Sequence, residues 1–297
     1  MQRIATLLAA CAPALVGAQE PGVAQLWELA GTTLPVAPAL ATGGASVVWN
    51  PAQAPPGGRA SVCLEFIQTP TAINATGVLV VSRLRVRRVG ELGLIYGSME
   101  MSDLIRTESS ALDLGPIPYY SQFIAGSWTL TRGHTTLGAT VGLQDIKVDR
   151  TQRQRASLDL GIAQLLPWDF RIAASGHLFT PLATGDRQHD VYGGVERRMW
   201  RGTLWRGSGP VSFTARYGIA VGQGFSADHQ FGTGIEVGNQ LVIDMQVARV
   251  GGYGVEEWRG TAGVRVRIGR YRVSYARDTG MSGIGSAYRV GIEAHTN

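Results

Sequence analysis

The segment Trp258-Arg259-Gly260-Thr261-Ala262-Gly263-Val264-Arg265-Val266-Arg267-Ile268 alternates from end to end. Trp258, Ala262, Val264, Val266 and Ile268 share one parity, and Arg259, Thr261, Gly263, Arg265 and Arg267 share the other. A strand sends successive side chains to opposite faces. The stretch is therefore a ribbon with one apolar side and one side carrying three arginines. One such ribbon fits a soluble sandwich as well as a membrane wall, so its recurrence has to decide.

It recurs along most of the chain. Leu137, Ala139, Val141 and Leu143 oppose Thr136, Gly138, Thr140 and Gly142. Leu158, Leu160 and Ile162 oppose Ser157, Asp159 and Gly161. Segments 211–222, 241–248 and 288–295 repeat the pattern, and weaker candidates cover 60–68, 73–86, 90–101, 119–131, 168–179, 189–200, 227–237 and 269–279. The total is about fourteen strands, each long enough to cross a bilayer at a tilt. Arg132-Gly133 and Gly238-Asn239 read as tight turns, whereas 102–118 and 180–188 are long connections. Tyr119, Tyr120, Trp168, Tyr192, Trp200, Trp205, Tyr253, Trp258, Tyr271 and Tyr288 fall at or near candidate strand ends, where a membrane–water boundary holds aromatic rings.

Composition agrees. The 297 residues include 40 glycines, about twice the usual share, and only 16% charged residues. No apolar run is long enough for a transmembrane helix. The net charge of +5 comes from arginines that alternate with apolar residues inside strands, not from a basic tail or patch, which argues against nucleic-acid binding.

Met1-Gln2-Arg3, the apolar stretch from Ile4 to Val16 and the A-x-A-like Val16-Gly17-Ala18 read as an export signal over 1–18. Leu8-Ala9-Ala10-Cys11 offers a competing lipoprotein site that would lipidate Cys11. Cleavage after Ala18 leaves Cys63 alone, so no internal disulfide is expected and Cys63 is a small apolar strand residue. Residues 19–59 form a separate proline-rich piece, with a short helix near Val23 to Ala30, ending at the breaker Pro55-Pro56-Gly57-Gly58. Residues 60–297 carry the strands. The expected fold is all-β: an antiparallel up-and-down transmembrane β-barrel in the outer membrane of a Gram-negative-type bacterium, reached after export.

Within the N-terminal piece, Gly43-Gly44-Ala45 is followed by Asn50-Pro51-Ala52 just before the first strand. This resembles the N-terminus of the FadL-like and PorV-like outer-membrane barrels. In that superfamily a longer acidic insert usually separates the two elements, and Ser46 to Trp49 stand there instead. The resemblance implies fourteen strands and a plug or hatch made by residues 19–59. It implies either passive uptake of a hydrophobic or small solute through a plugged, porin-like lumen or a shuttle for exported proteins. Many outer-membrane barrels end in an aromatic residue; this sequence ends in Asn297.

The lumen parity holds Arg83, Arg85, Arg87, Arg216, Arg265, Arg267, Arg272 and Arg289 with Asp159, Glu236, Asp244, Asp278 and Glu293. Both signs on one wall point first to interstrand ion pairs, for which the planar arginine fork is suited, and second to a ring that selects an anionic solute. The remaining lumen parity reads as polar. Ser175 and His177 share parity on one strand and Asp190 lies near the start of the next, but no hydrolase motif surrounds them, and no enzyme activity is expected. No metal or cofactor is expected, because His189-Asp190 has no second ligand cluster at the required spacing. The expected partners are outer-membrane lipid and either a hydrophobic small molecule or an exported protein. A non-transporting structural barrel and a soluble periplasmic β-protein stay open at this level.

Overall fold

A computed structural model of the chain describes residues 26–53, 58–102, 104, 116–181, 188–203, 209–222, 227–252, 255–280 and 285–296. The expected signal, Cys11 and residues 19–25 and 54–57 lie outside the described residues.

Alternation becomes a closed wall. The strands are β1 (Ala60–Gln68), β2 (Ala75–Val86), β3 (Gly90–Met101), β4 (Tyr119–Arg132), β5 (Thr135–Val148), β6 (Thr151–Leu166) and β7 (Phe170–Phe179). They continue as β8 (His189–Gly202), β9 (Val211–Gly222), β10 (Asp228–Val237), β11 (Leu241–Gly252), β12 (Val255–Ile268), β13 (Tyr271–Asp278) and β14 (Tyr288–His295). Each pairs antiparallel with its sequence neighbours, and β1 closes on β14 from Ser61↔His295 to Gln68↔Tyr288. The fourteen strands are those anticipated. The largest boundary change is β6, which extends the alternation around Leu158 to Ile162 to Thr151–Leu166.

The two parities meet different surroundings. Val141 and Leu143 are each 63% exposed on the outside of the wall, and Ile268 is 65% exposed. Asp244 and Arg83 face inward at 2% and 3%. An outside made of Leu, Val, Ile and Phe around a polar inside is a membrane-spanning barrel, in which closure leaves no unpaired edge in hydrocarbon.

The rim that holds the start of β1 and the end of β14 also holds the tight turns after β4, β10 and β12. Arg132↔Thr135 leaves a two-residue connection with Gly133 at φ +61°, the left-handed geometry that primed hairpin turns need. The opposite rim holds the long connections 102–118 and 180–188.

Ahead of β1, residues 26–53 fold as a short helix α1 (Leu26–Gly31) followed by two single turns of 3-10 helix at Pro38–Leu40 and Gly44–Val48. Leu26, Ala30, Leu40, Ala45 and Val47 are buried, and they are buried against inward-facing wall residues.

Extracted from membranes, the protein is expected to migrate in gels at two positions, one unboiled and one boiled, because a closed hydrogen-bonded barrel resists detergent until heated. Recovery from the soluble periplasmic fraction with a single mobility would contradict the barrel.

Candidate functional site

The lumen is built from the N-terminal segment and the wall together. Four wall arginines reach the segment. Arg83 donates to the Gln53 carbonyl at 2.8 Å, Arg171 to the Leu40 carbonyl at 2.7 Å and Arg289 to the Ala30 carbonyl at 2.7 Å. Arg265 donates to the Thr42 hydroxyl at 2.6 Å. Short irregular backbone leaves carbonyls without backbone partners, and a buried carbonyl needs a donor. The arginines supply it.

The Asn50-Pro51-Ala52 element is the most tightly held part. Asn50 is fully buried; its amide donates to the Ala39 carbonyl at 2.9 Å, and its side-chain oxygen accepts from the Ala52 N–H at 2.9 Å. Thr129 on β4 donates to the Pro51 carbonyl at 2.7 Å. The wall gives way to this element at Gly138 and Gly161, where a Cβ would overlap Pro51 and Asn50. Gly194, Gly218 and Gly263 make the same room for Leu40, Ala37 and Pro35. Much of the inward-facing glycine is thus explained by close approach of a second piece of chain. Gly43, at φ +115°, accepts a bond from the Ser46 hydroxyl at 2.6 Å. Gly44 sits against Cys63 and Glu293, and Ala45 packs with Val47, Leu79 and Val81.

The charges form a chain across strands. Arg171 on β7 pairs with Glu196 on β8 at 2.9 Å, and Glu196 pairs with Arg216 on β9 at 2.9 Å. Arg216 then passes over β10 to Asp244 on β11 at 2.6 Å, and Asp244 pairs with Arg265 on β12 at 2.8 Å. Gly234 on β10 leaves the gap for this crossing, since a Cβ there would strike both Arg216 and Asp244. Separate pairs join Arg272 to Glu293 at 2.9 Å, Arg83 to Glu91 at 3.3 Å and Arg289 to Glu65 at 3.5 Å.

The expected set of lumen charges therefore divides. Arg83, Arg216, Arg265, Arg272, Arg289, Asp159, Asp244 and Glu293 lie inside with partners. Asp278 accepts from the Gly280 and Ala287 N–H groups and holds the start of the β13–β14 connection. Arg85 and Arg267 do not join the network: they are solvent-exposed beside the short turns, as is Arg87 in the turn itself. Glu236, next to the end of β10, makes no ion pair among the described residues. The wall at the rim is wet, and exposed charges there need no partner. Arg171, Glu196, Glu65, Glu91 and Arg155 were not singled out in the sequence, although all sit on inward parity.

The polar reading of the lumen also needs correction. On β1 to β4 the inward face is mixed: Cys63, Ile67, Leu79, Val81, Ile95, Met99 and Ala125 are buried under the N-terminal segment beside Glu65, Arg83, Glu91 and Thr129. Apolar residues on both faces of these strands weaken their period.

Two cavities flank the segment. The smaller, about 80 Å3, lies toward the short-turn rim between Leu34–Gly44 and the charged wall of Glu65, Asp244, Arg265, Arg272, Arg289 and Glu293. The larger, about 100 Å3, lies toward the long connections. Its apolar side is Trp27, Val48 and Trp49 of the segment with Ile95, Phe123, Phe179 and Tyr192 of the wall. Trp27 meets Phe123 edge to face, with ring centroids 4.8 Å apart. Its polar side is Thr140, Gln144, Arg155, Ser157, Asp159, His177 and Asp190.

Ser175 and His177 meet here, but not each other's chemistry. Ser175 donates to the Trp49 carbonyl at 2.7 Å, and His177 Nε2 lies 3.0 Å from the same oxygen. His177 Nδ1 lies 3.0 Å from Asp159. The serine hydroxyl is committed to a backbone carbonyl, so the pair acts as a clamp on Trp49. Among the described residues no group of His, Cys, Asp and Glu is arranged to hold a metal.

These features define a class: a fourteen-stranded membrane barrel whose lumen is occupied by its own N-terminal segment. No family model matches the chain, and no curated protein matches it. Solved structures do share the fold. The Ralstonia pickettii toluene transporter TbuX superposes with a TM-score of 0.54 at 12% identity, over 90% of this chain and 98% of that one. The Pseudomonas putida toluene transporter TodX gives 0.53 at 11% identity, over 95% and 97%. The chain has the fold of outer-membrane barrels of this kind.

Gly138→Val is expected to push the Pro51 region off the wall while the strands still pair, read as new protease cleavage within 26–53 with gel mobility retained. Unchanged protection would contradict the close-approach role. Asp244→Asn, which strips the shared acceptor from Arg216 and Arg265, is expected to destabilise the barrel by about 3–5 kcal/mol, the usual cost of breaking a buried pair. An unchanged unfolding temperature would show that the network carries no load.

Proposed function

We propose that this protein is a FadL-like outer-membrane barrel for passive uptake of a small hydrophobic solute, with residues 19–59 as its plug. The observation that carries this reading is the cavity between the segment and the wall. One side of it is aromatic and aliphatic, as in ligand pockets, and the other is polar and charged. A shuttle for exported proteins would call for a filled lumen and a partner surface on the outer loops, and no cavity of this kind.

Supporting points are physical. The segment is held by hydrogen bonds and packing alone, so it can shift without breaking covalent structure. The ion pairs run along the wall and to the segment, which braces the barrel around a movable centre. Arginine and carboxylate occur together around the smaller cavity, so a ring selecting only anions has less support. Two barrels that share this fold are toluene transporters.

The protein is expected to speed entry of labelled toluene into proteoliposomes whose outer leaflet is lipopolysaccharide. Rates equal to protein-free vesicles, together with co-purification of an exported protein, would replace uptake by the shuttle reading.

A further inference from the structure

We propose that the short-turn rim binds anionic glycerophospholipid through an arc of arginines that runs along half of it. The proposal is independent of the uptake reading.

The arc crosses the neighbouring strands β12, β13, β14, β1, β2, β3 and β4. Arg267 and Arg270 flank the β12–β13 turn, and Arg59 precedes β1. Arg85, Arg87 and Arg88 lead into the β2–β3 turn, and Arg132 ends β4. All are exposed. Backbone bonds string them along the rim. The Arg270 carbonyl accepts from the His295 N–H at 3.0 Å, the Arg59 N–H donates to the Thr296 carbonyl at 3.3 Å, and the Arg85 N–H donates to the Arg59 carbonyl at 2.8 Å. At ordinary strand spacing the arc is about 30 Å long.

Its acids are turned inward and already taken. Glu91 pairs with Arg83 and Glu293 with Arg272, and both carboxylates are buried. Among the described residues no exposed acid falls in the arc. The other half of this rim has Asp169, which pairs with Arg198 at 3.7 Å, and Glu236. The opposite rim mixes Asp145 and Asp149 with Lys147 and Arg150. A single wet arginine needs no partner. A row of them without counter-charge makes a positive edge that suits an anionic surface.

Aromatic contacts set that edge at headgroup depth. Arg270 lies over the Tyr271 ring at 5.1 Å and donates to its hydroxyl at 2.9 Å, and Tyr271 is 44% exposed on the lipid-facing side. Trp128, also lipid-facing, donates its indole N–H to the Val89 carbonyl at 2.8 Å and so ties down the turn that carries Arg87 and Arg88. Arg132 shares the outward parity of Trp128. Such rings sit at the membrane–water boundary, where lipid phosphates lie, and a guanidinium fork takes two phosphate oxygens at once. Short turns face the periplasm in bacterial barrels, so the lipid is a phospholipid of the periplasmic leaflet.

The test purifies the full chain from micelles holding equal phosphatidylglycerol and phosphatidylcholine and measures the lipid that co-elutes. At low salt phosphatidylglycerol is expected to be retained about fivefold over phosphatidylcholine, the worth of roughly one arginine near an anionic surface, since screening keeps the arc from summing its members. High salt is expected to bring the ratio near unity. So is the combined variant Arg87→Gln, Arg88→Gln, Arg132→Gln and Arg270→Gln, whereas Arg197→Gln with Arg201→Gln on the other half of the rim is expected to keep the preference. Equal retention by the unmodified chain overturns the proposal, as does a ratio that survives high salt, an unchanged ratio in the arc variant or an equal fall in both variants. If the arc variant loses folded gel mobility, Arg132→Gln with Arg270→Gln replaces it and must lower the ratio. Binding of soluble polyglutamate with even lipid retention would give the arc to an acidic periplasmic partner and overturn the lipid assignment. No flux is measured, so the result stands apart from the uptake reading.

Discussion

Closure of β1 onto β14 is the constraint on which everything else rests. Hydrocarbon offers no hydrogen-bond partner, so a sheet with a free edge cannot stay in a bilayer. Eight paired positions, Ser61↔His295 to Gln68↔Tyr288, remove that edge. Closure also creates an inside. Once the wall is a ring, one parity of every strand meets lipid and the other meets a confined lumen. The even strand count brings the start of β1 and the end of β14 to one rim, here the short-turn rim, so the segment before β1 joins the barrel at that end.

The lumen then has to be filled without stranding polar groups, and the chain does this asymmetrically. On the β1 to β4 side much of the filling is apolar: Ala45 and Val47 lie on Cys63, Leu79, Val81 and Ile95. On the β7 to β14 side it is ionic, through Glu196, Arg216, Asp244 and Arg265. Arginine serves both the wall and the segment because its fork can hold a carboxylate and a carbonyl at once. Arg83 does this with Glu91 and Gln53, and Arg289 with Glu65 and Ala30. A buried charge is tolerable only when paired and hydrogen-bonded, so wall and segment depend on one another. The larger cavity is where that mutual filling stops short.

Legibility varied with how much of each feature was local. Strands with one apolar and one polar face, such as β5, β9 and β12, could be read to within a residue or a few. β2 and β3 were fainter because Leu79, Val81, Ile95 and Met99 make their inner faces apolar too, and a two-sided apolar strand has no period. Asn50 and Pro51 stood out by resemblance to a barrel N-terminus, but nothing in their sequence says that Gly138 and Gly161 make room for them. Arg171 and Glu196 had the right parity in weakly patterned strands, and parity alone does not distinguish a paired charge from a rim charge such as Arg267. Ser175 and His177 looked like a chance pair, and their shared target, the Trp49 carbonyl, lies 126 and 128 residues away in sequence.

By itself the sequence determined the number of strands, their inner and outer faces, the tight turns and the existence of a distinct N-terminal piece. Each of these follows from alternation or turn chemistry over a few neighbouring residues. Only the tertiary structure decided which arginine grips which carbonyl, which charges pair, and that Trp27, Trp49, Phe123 and His177 surround one cavity. Those contacts join residues as far apart as Ala30 and Arg289. They depend on how a closed ring curls and how the segment lies inside it, and no one-dimensional period carries that information.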